Sequence, residues 1–515
     1  MKHLYLIITF LSIFVGANAQ QWAWAKDITL SFNNPTVNGL VTDNNSNYYV
    51  SVNEYLSGGC IVKFDTQGNE LWRKYLIGDV EIRGITCISN YVFITGVFTN
   101  TLQIGNDVLI SKGQHDAFIA GLDINGSFIW AKNFGGSKND YGNGICSDTN
   151  GNIYLTGEYS DTANFGNSDI VCQGSSNMFM AKLDLIGNIL LLKSAGCQDS
   201  TGVKGSNGLK IKTDMSGNIF ILGYFTDIVL DTIHIIGHPY YGSYFLSRFD
   251  SLGNAQWGKE VISSTNHLYD FTLDQTGNIL AQGAGSWTNG GWIITHKYSS
   301  VTGQLLWNRT ITGSCYGDDY SSASIAMENN NCYLIGTANR HNCLPPYYRA
   351  LLCIKYDSLG NIMLRDSVLE QTSAPNGSIF YSHIVNDTNG DFIVCGTIQD
   401  GSILFGNDLI NATYRKLFIT KFYGSNSITA TQNIEDSKRI DIFPNPSFGI
   451  FTINLKVKTT GTNICVYDVF GKCVYKKASM GNCSVEIDLS SRAKGVYFIE
   501  ILSDSEKNIK RIVLQ

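Results

Sequence analysis

The chain has 515 residues, more than one compact core of ordinary size holds, so it contains several domains or a repeat array with an accessory domain. Charged residues make up only 16% and the net charge is −6. No basic stripe indicates nucleic acid and no acidic block indicates a disordered tail. The 52 glycines, the 12% of aromatic residues and many Thr, Val, Ile and Asn favour strands joined by tight turns.

The first residues have the pattern of an export signal. A charged start, an apolar run from Leu4 to Val15 and the triplet Ala17-Asn18-Ala19 predict cleavage between Ala19 and Gln20. The apolar run is short for a spanning helix, although an uncleaved anchor is the alternative. No later stretch is apolar for long enough to cross a bilayer. We therefore expect an exported, soluble mature protein without a membrane span.

Three segment types then recur in a fixed order. An opening motif such as "SDTNGNIYLTG" and an alternating strand such as "MFMAKLD" each occur seven times, whereas the third type, such as "FIWAKNF", follows a turn only six times. The missing copy, "QWAWAKDI", stands directly after the export signal. With an innermost strand before each opening motif, every unit has four strands. This arrangement predicts a seven-bladed β-propeller over residues 20–424, closed by its N-terminal strand, so that no sheet edge stays open.

The repeat is long for a propeller. The 344 residues from Asp43 to Asp387 cover six intervals of about 57 residues, against about 40–45 in WD-type blades. The excess lies between the second and third strands. Residues 134–159, "FGGSKNDYGNGICSDTNGNIYLTGEY", resemble the secreted bacterial β-propeller repeat. This resemblance implies the fold more strongly than an activity, because propellers support many functions.

The repeated turn has two interpretations. Asp148, Asn150 and Asn152 alternate like oxygen ligands of calcium, but Gly151 is fourth and Tyr159 twelfth in the segment, where an EF-hand loop needs Gly sixth and Glu twelfth. A tight turn in which Asp148 bonds nearby N–H groups is the favoured interpretation. We expect no metal and no cofactor.

The 13 cysteines are dispersed, without a CxxC pair. An exported protein permits disulfides, but the odd number leaves the pairing open. Cys465 and Cys473 flank a predicted tight turn and could face each other across a hairpin.

A second domain follows a polar linker at residues 425–439. Residues 440–515 alternate polar and apolar positions in short strands, which predicts a small β-sandwich of the immunoglobulin-like kind. Its motifs resemble the C-terminal sorting domain (type A) of type IX secretion substrates. The residues that carry this resemblance are Pro444, Asn445, Pro446, Gly449, Asp468, Gly471, Lys472, Gly495, Tyr497 and Lys510.

The resemblance implies contact with the type IX secretion machinery, export through the outer membrane and removal of this domain near the linker. The product would be attached to surface lipopolysaccharide or released. Two positions depart from the family pattern, Gln515 at the end and Lys507 in the last turn. The alternative is an ordinary terminal sandwich that binds a ligand.

Variable loops connect the second and third strands, on the propeller face opposite the repeated turns, and such loops commonly bind ligands. Loops of three consecutive units carry aromatic and polar side chains suited to a glycan or protein ligand. These candidate site residues are Tyr240, Tyr241, Trp287, Asp318, Tyr320, Arg340, Tyr347 and Tyr348. The alternative is that they only pack loops onto neighbouring blades.

No catalytic motif of a hydrolase or phosphate-binding loop is present in the sequence. We therefore predict a monomeric cell-surface or secreted propeller with a non-catalytic binding or adhesion role. The alternative is a secreted enzyme that degrades polysaccharide or protein, with its site on the variable-loop face.

Overall fold

A computed structural model describes two compact units, Met1–Ser427 and Ile428–Gln515. The described residues are 22–30, 34–54, 58–197, 205–238, 241–263, 266–287, 290–312, 318–328, 331–340, 349–369, 378–424, 440–443, 447, 449–455, 462–468, 472–479, 484–502 and 507–514. The predicted cleavage residues Ala17, Ala19 and Gln20 and the linker 425–439 lie outside them. Within these ranges no helix has the length and apolar character to cross a bilayer.

The first unit is built from strands alone in its described part. In chain order they are β1 (Trp22–Ile28), β2 (Pro35–Thr42), β3 (Tyr48–Glu54), β4 (Gly58–Phe64), β5 (Glu70–Leu76), β6 (Val80–Ile88), β7 (Tyr91–Phe98), β8 (Thr101–Ile104), β9 (Asp107–Ile110), β10 (Asp116–Asp123), β11 (Phe128–Gly136), β12 (Tyr141–Ser147), β13 (Ile153–Tyr159), β14 (Thr162–Asn164), β15 (Asp169–Val171), β16 (Asn177–Leu183), β17 (Ile189–Ala195), β18 (Ser206–Thr213), β19 (Ile219–Phe225), β20 (Asp227–Leu230), β21 (Ile233–Ile236), β22 (Ser243–Phe249), β23 (Ala255–Ser263), β24 (Asn266–Leu273), β25 (Ile279–Trp287), β26 (Gly290–Tyr298), β27 (Leu305–Thr312), β28 (Asp318–Glu328), β29 (Asn331–Arg340), β30 (Arg349–Tyr356), β31 (Ile362–Leu369), β32 (Ser378–Asn386), β33 (Phe392–Gln399), β34 (Gly401–Phe405), β35 (Asp408–Ala412) and β36 (Lys416–Phe422).

Among the described residues these strands form seven antiparallel sheets of four main strands, which we call blades. From the inner to the outer strand, blade 1 is β2-β3-β4-β5, blade 2 is β6-β7-β10-β11, blade 3 is β12-β13-β16-β17, blade 4 is β18-β19-β22-β23, blade 5 is β24-β25-β26-β27, blade 6 is β28-β29-β30-β31 and blade 7 is β32-β33-β36-β1. The first unit is therefore a β-propeller.

The first strand of the described chain completes the last blade, as the repeat count predicts. β1 pairs antiparallel with β36, with Trp22 opposite Phe422. The Trp22 ring also lies 4.8 Å from that of Phe405 and 5.2 Å from that of Phe422, both in edge-on geometry. These contacts join the two ends of the propeller, so blade 7 has no missing outer strand.

Extra hairpins account for the long repeat. β8–β9, β14–β15, β20–β21 and β34–β35 are inserted between the second and third strands of blades 2, 3, 4 and 7. β14 also pairs with β11 of the preceding blade, and Asp107 of β9 accepts the Ala131 N–H at 2.8 Å. These two hairpins thus bond to the outer strand β11 and cover part of its edge. An open sheet edge would otherwise favour aggregation.

The repeated Asp-x-x-Gly-Asn segments are turns held by their own aspartate. Asp148 Oδ1 accepts the N–H groups of Asn150 and Asn152 at 2.9 Å, and Oδ2 accepts the Asn152 amide at 2.7 Å and the Tyr154 hydroxyl at 3.0 Å. Gly151 adopts φ 87°, which a side chain disfavours. Ten described turns repeat the Oδ1 pattern, and their aspartates are 43, 65, 123, 148, 184, 214, 250, 274, 357 and 387. The turn interpretation is therefore correct.

Outer-strand tryptophans join neighbouring blades over these turns. Trp130 donates its indole N–H to the Leu185 carbonyl at 2.9 Å, and a Cβ added at Gly187 would lie 3.0 Å from its ring. Trp72, Trp257 and Trp307 donate to the next blade in the same way. The tryptophan of the third segment type and the glycine of the turn therefore form one contact between blades.

The second unit contains two antiparallel sheets. Its strands are β37 (Ile440–Phe443), β38 (Ile450–Leu455), β39 (Thr462–Tyr467), β40 (Cys473–Ser479), β41 (Ser484–Asp488), β42 (Gly495–Leu502) and β43 (Lys507–Leu514). One sheet has the order β37-β38-β41 and the other β40-β39-β42-β43. Apolar side chains of both sheets, among them Phe451, Ile487, Val466 and Ile499, share one core, as in a sandwich.

The hairpin of β39 and β40 corrects one expectation. Cys473 lies opposite Tyr467, and Cys465 lies opposite Lys476, so the two thiols do not face each other. Neither Cys465 nor Cys473 forms a disulfide. The register shifts by one residue between Val466 and Tyr467, and this bulge could not be read from cysteine spacing.

Candidate functional site

A bulge in the inner strand of every blade produces a ring of equivalent positions. In each strand the antiparallel register shifts at the same place, and the first residue after the shift pairs with the second strand. These seven residues all line one cavity of about 410 Å³. In chain order they are Gly39, Gly84, Gly144, Lys210, Asp270, Ser324 and His383. We call this cavity the central channel.

Three of the seven ring positions carry no side chain. A Cβ added at Gly39 would lie 2.5 Å from Ile85 Cγ2, and one at Gly144 would lie 2.9 Å from the Leu209 carbonyl oxygen. In blades 1 to 3 the inner strand therefore approaches its neighbour too closely for a side chain at this position. The polar side chains of the ring are confined to blades 4 to 7.

These polar side chains are only partly bonded to one another. Asp270 Oδ2 accepts the Ser324 hydroxyl at 2.9 Å, and Oδ1 accepts the Phe271 N–H at 2.9 Å. Burial, together with the positive charge of Lys210, lowers the pKa of His383 to about 4. Burial also lowers the pKa of Lys210, against the opposing effect of Asp270. His383 is therefore neutral at pH 7.

A second and larger cavity of about 690 Å³ opens at the face where the inner strands begin. It lies over blades 7, 1, 2 and 3, and we call it the groove. Asn38 and Arg83 line both the groove and the central channel. Only residues 55–57 separate β3 from β4 in blade 1, and this short connection contrasts with the inserted hairpins of blades 2, 3 and 7.

A stack on Tyr141 organises the groove. The Arg83 guanidinium lies over the Tyr141 ring at 4.7 Å, and the His115 ring stacks at 5.7 Å from it. Arg83 also donates to Asn143 Oδ1 at 2.8 Å and to Glu81 at 2.9 Å. Such contacts hold flat polar groups in fixed orientations, as a specific binding surface requires.

Carboxylates occupy the groove and its floor. Asp79 accepts the Thr99 hydroxyl at 2.9 Å. Behind His115 and Tyr141, Asp116 and Asp140 are buried, and burial raises the pKa of Asp140 to about 6 against the N–H bonds from Gly136 and Ser160. The Gly-Gly-x-x-x-Asp-Tyr-Gly motif therefore supports the groove through Asp140 and lines it through Tyr141.

The site residues predicted from sequence belong to other blades. Trp287 ends β25, Asp318 and Tyr320 begin β28, and Arg340 ends β29. Asp318 lies opposite Arg340 in the strand register. All four are at the propeller face that the strand order predicts. Their role as a ligand site stays a prediction.

Tyr241 is the described aromatic side chain of this predicted set. It is 67% exposed, its ring lies 5.1 Å from that of His238, and its carbonyl accepts the Tyr224 hydroxyl. Tyr240, Tyr347 and Tyr348 lie outside the described residues. Among the described side chains, no cluster of three or more His, Cys, Asp or Glu is placed to hold a metal ion.

Sequence reasoning missed Arg83, His115 and Tyr141. Tyr141 belongs to the repeat motif, so it was counted with the scaffold. A signal was available, because inner strands begin on the same face as the variable loops, and the first four residues of β6 include Glu81 and Arg83, whereas β12 begins with Tyr141.

The sorting motif residues have structural roles in the second unit. Asp468 accepts the Lys472 N–H at 3.0 Å, as in the propeller turns. The Gly449 carbonyl accepts the Leu489 N–H at 2.7 Å, and Tyr497 donates to the Ala493 carbonyl at 2.6 Å. Gly495 and Lys510 lie in β42 and β43. Pro444, Asn445, Pro446 and Gly471 lie outside the described residues.

Comparisons with known families agree with this division. Residues 441–515 match the model of the secretion system C-terminal sorting domain, and residues 129–166 match that of a beta-propeller repeat. The second unit is a sorting domain of type IX secretion. It directs the protein to the cell surface or the extracellular space through the type IX machinery. None of the curated proteins matches the chain.

Several solved structures resemble the chain at low similarity. One is polysaccharide lyase Uly1, at 11% identity over 80% of this chain and 94% of that chain, with a TM-score of 0.40. A Dyadobacter fermentans protein of unknown function matches at 9% identity over 78% and 99%, with a TM-score of 0.35. Trypanosoma rangeli sialidase matches at 9% identity over 96% and 86%, with a TM-score of 0.35. Likeness at this level carries no inference about activity.

Proposed function

We propose that the exported propeller binds a glycan in its groove without catalysing a reaction, as a surface binding or adhesion protein. The observation that carries this proposal is the fixed stack of Arg83, Tyr141 and His115 in a cavity of about 690 Å³. Ligand sites commonly measure about 300–1,000 Å³. The groove therefore has room for a short oligosaccharide.

The chemistry of the lining suits a sugar chain. Sugar hydroxyls both donate and accept hydrogen bonds, and the groove offers carboxylates, amides, guanidinium groups and an imidazole. The residues that supply them are Asn38, Glu54, Asp79, Glu81, Arg83, His115, Gln399 and Arg415. Protein ligands of the same polarity are the competing class, and they are separated from glycans by the test below.

The bonding of the carboxylates favours binding over turnover. Glycosidases need two carboxyl groups free to act at set separations. In the groove, Glu81 pairs with Arg83 at 2.9 Å and Asp79 accepts from Thr99 at 2.9 Å. Two of the three carboxylates of the lining, Asp79 and Glu81, are therefore bonded within the walls of the cavity.

A glycan array with the full exported protein tests this proposal. We expect binding to a limited set of glycans, reduced at least about tenfold by Tyr141→Ala, because the loss of a central aromatic contact costs about 1–3 kcal/mol. Tyr241→Ala is the matched control, since this tyrosine is exposed on blade 4 and outside the groove. Equal loss with both variants, or loss with Tyr241→Ala alone, would place the site on blades 4 to 6 instead.

The enzymatic alternative is tested on the same glycans. Incubation with the wild-type protein should release no new reducing ends and no unsaturated products. Turnover that Tyr141→Ala abolishes would show that the groove is an active site. Binding only to proteins, with no glycan retained, would also contradict the proposal.

The processing steps also belong to this proposal. We expect the sorting domain to be removed within residues 425–439, after cleavage of the export signal behind Ala19, and the product to be a monomer. Mass spectrometry of the exported protein measures both ends. A C-terminus that still includes β43 would exclude removal.

A further inference from the structure

The central channel has an unbalanced charge. Its charged lining residues are Arg83, Lys210, Lys212 and Asp270, so cations outnumber the carboxylate in a protein whose net charge is −6. Arg83 is neutralised by Glu81 at 2.9 Å, and Lys212 is exposed at one end. The ammonium group of Lys210 is the cation that remains within the ring.

No described residue accepts a hydrogen bond from Lys210 or forms an ion pair with it. Its ring neighbour Asp270 instead accepts from Ser324 and from Phe271. A cation enclosed by protein is costly unless a charge or hydrogen-bond acceptor compensates it. Lys210 therefore lines the cavity without a hydrogen-bond acceptor among the described residues, and the charge of Asp270 only partly compensates its ammonium group.

We propose that the central channel is a binding site for a small oxyanion, a carboxylate or phosphate group carried by a molecule of about monosaccharide size, with Lys210 as its counter-charge. The cavity of about 410 Å³ holds such a molecule. Asn38 adds a donor, since its Oδ1 accepts the Thr36 hydroxyl at 3.2 Å and its amide N–H group donates to none of the described residues.

The ring offers its polar side chains on one side of the channel. Gly39, Gly84 and Gly144 present only backbone to the channel, whereas Lys210, Asp270, Ser324 and His383 present polar side chains. An oxyanion bound next to Lys210 would lie near the Asp270 carboxylate, which weakens its binding. This proximity provides a test that a purely structural role of the ring does not predict.

The site does not depend on glycan binding in the groove. Isothermal titration calorimetry of the full exported protein, in a buffer without phosphate, uses glucuronate and inorganic phosphate as probes and glucose as the neutral control. We expect at least one anion to bind and glucose not to bind. Binding of glucuronate alone indicates a sugar acid, binding of phosphate alone a phosphate group, and binding of both a general oxyanion site.

Three variants identify the counter-charge. Lys210→Met should weaken anion binding at least about tenfold, because a hydrogen bond to a charged group contributes about 1.5–3 kcal/mol. Lys212→Met, two residues further along the same strand, should weaken it less than Lys210→Met does, because the exposed ammonium group of Lys212 interacts through water of high dielectric constant. Asp270→Asn keeps a hydrogen-bond acceptor for Ser324 and should strengthen binding several-fold.

Two results would overturn the proposal. One is that neither anion binds at concentrations up to about 10 mM, at which a site of about millimolar affinity would be largely occupied. The other is equal anion affinity of Lys210→Met and Lys212→Met. If Lys210→Met does not fold, as judged by its thermal melting curve, Asp270→Asn decides, and unchanged or weaker binding then excludes the site.

Discussion

The two faces of the propeller differ in how their polar groups are used. On the face of the tight turns, one arrangement occurs ten times among the described residues, and each aspartate is bonded by its own turn. On the other face, the polar groups of the groove differ from blade to blade, as Arg83, Tyr141 and Arg415 show. Repetition therefore marks the contacts that every blade needs, and divergence marks the surface free to fit a ligand.

Substitution of a tryptophan that joins two blades at the turn face should have the largest effect on stability. Trp130→Ala removes the packing on Gly187, the N–H bond to Leu185 and the ring contact with Phe93 at 5.7 Å. We expect a loss of about 3 kcal/mol in the free energy of unfolding, the lower end for tryptophan because the ring is half-buried. Urea denaturation measures it.

Trp130→Phe is the matched control for this change. It keeps an aromatic ring over Gly187 and loses the indole N–H, so we expect a loss of about 1 kcal/mol. Groove ligands should bind the folded Trp130→Ala protein normally. Impaired binding would show that the two faces are coupled rather than separate.

The pH dependence of stability should have opposite signs at the two faces. Burial raises the pKa of Asp140 below the groove to about 6, above its unfolded value near 4. Its contribution to stability is therefore complete below pH ~4 and is lost as the pH rises through ~6, by up to about 3 kcal/mol. Urea midpoints from pH 3 to pH 8 should show this decline, and Asp140→Asn should remove it.

Asp250 in a tight turn behaves in the opposite way. The backbone N–H of Asn254 lowers its pKa, so its contribution is present above pH ~4 and is lost as the pH falls through its lowered value. Asp250→Asn should flatten the acid side of the curve and leave the neutral side unchanged. The same slope in both variants would contradict the division between the faces.

The smallest difference concerns two glycines of similar backbone conformation. Gly187 has φ 79° and Gly166 has φ 80°, so Ala costs about 1 kcal/mol at either position through backbone strain. A Cβ at Gly187 would also lie 3.0 Å from the Trp130 ring, whereas none of the surrounding atoms comes within 4 Å at Gly166. We expect Gly187→Ala to be less stable than Gly166→Ala by about 1 kcal/mol. Equal stabilities of the two variants would show that the contact between Trp130 and Gly187 does not contribute to stability.

Much of the fold was predictable because the repeat is periodic in the sequence. The number of third segments indicated that Trp22–Ile28 belongs to the last blade, and the pairing with β36 agrees. The inserted hairpins were anticipated only as long connections. Their pairing, such as β14 with β11, depends on contacts between blades that no local pattern records.

The groove and the channel were not predictable for a related reason. Lys210, Asp270 and His383 are separated by 60 residues or more in sequence, and only the common bulge places them at one level of the ring. Tyr141 was hidden in a repeat motif. The aromatic loops of blades 4 to 6 were conspicuous in sequence, but conspicuous residues need not converge in space.

The pairing of Trp22 with Phe422 also constrains how the chain folds. These residues are 400 positions apart, so bringing them together costs about 5 kcal/mol of chain entropy before other contacts compensate it. The ring cannot close until the last blade exists, which predicts slow folding dominated by distant contacts. Once closed, neither end of the propeller can fray without breaking a complete sheet, a property that suits a protein working outside the cell.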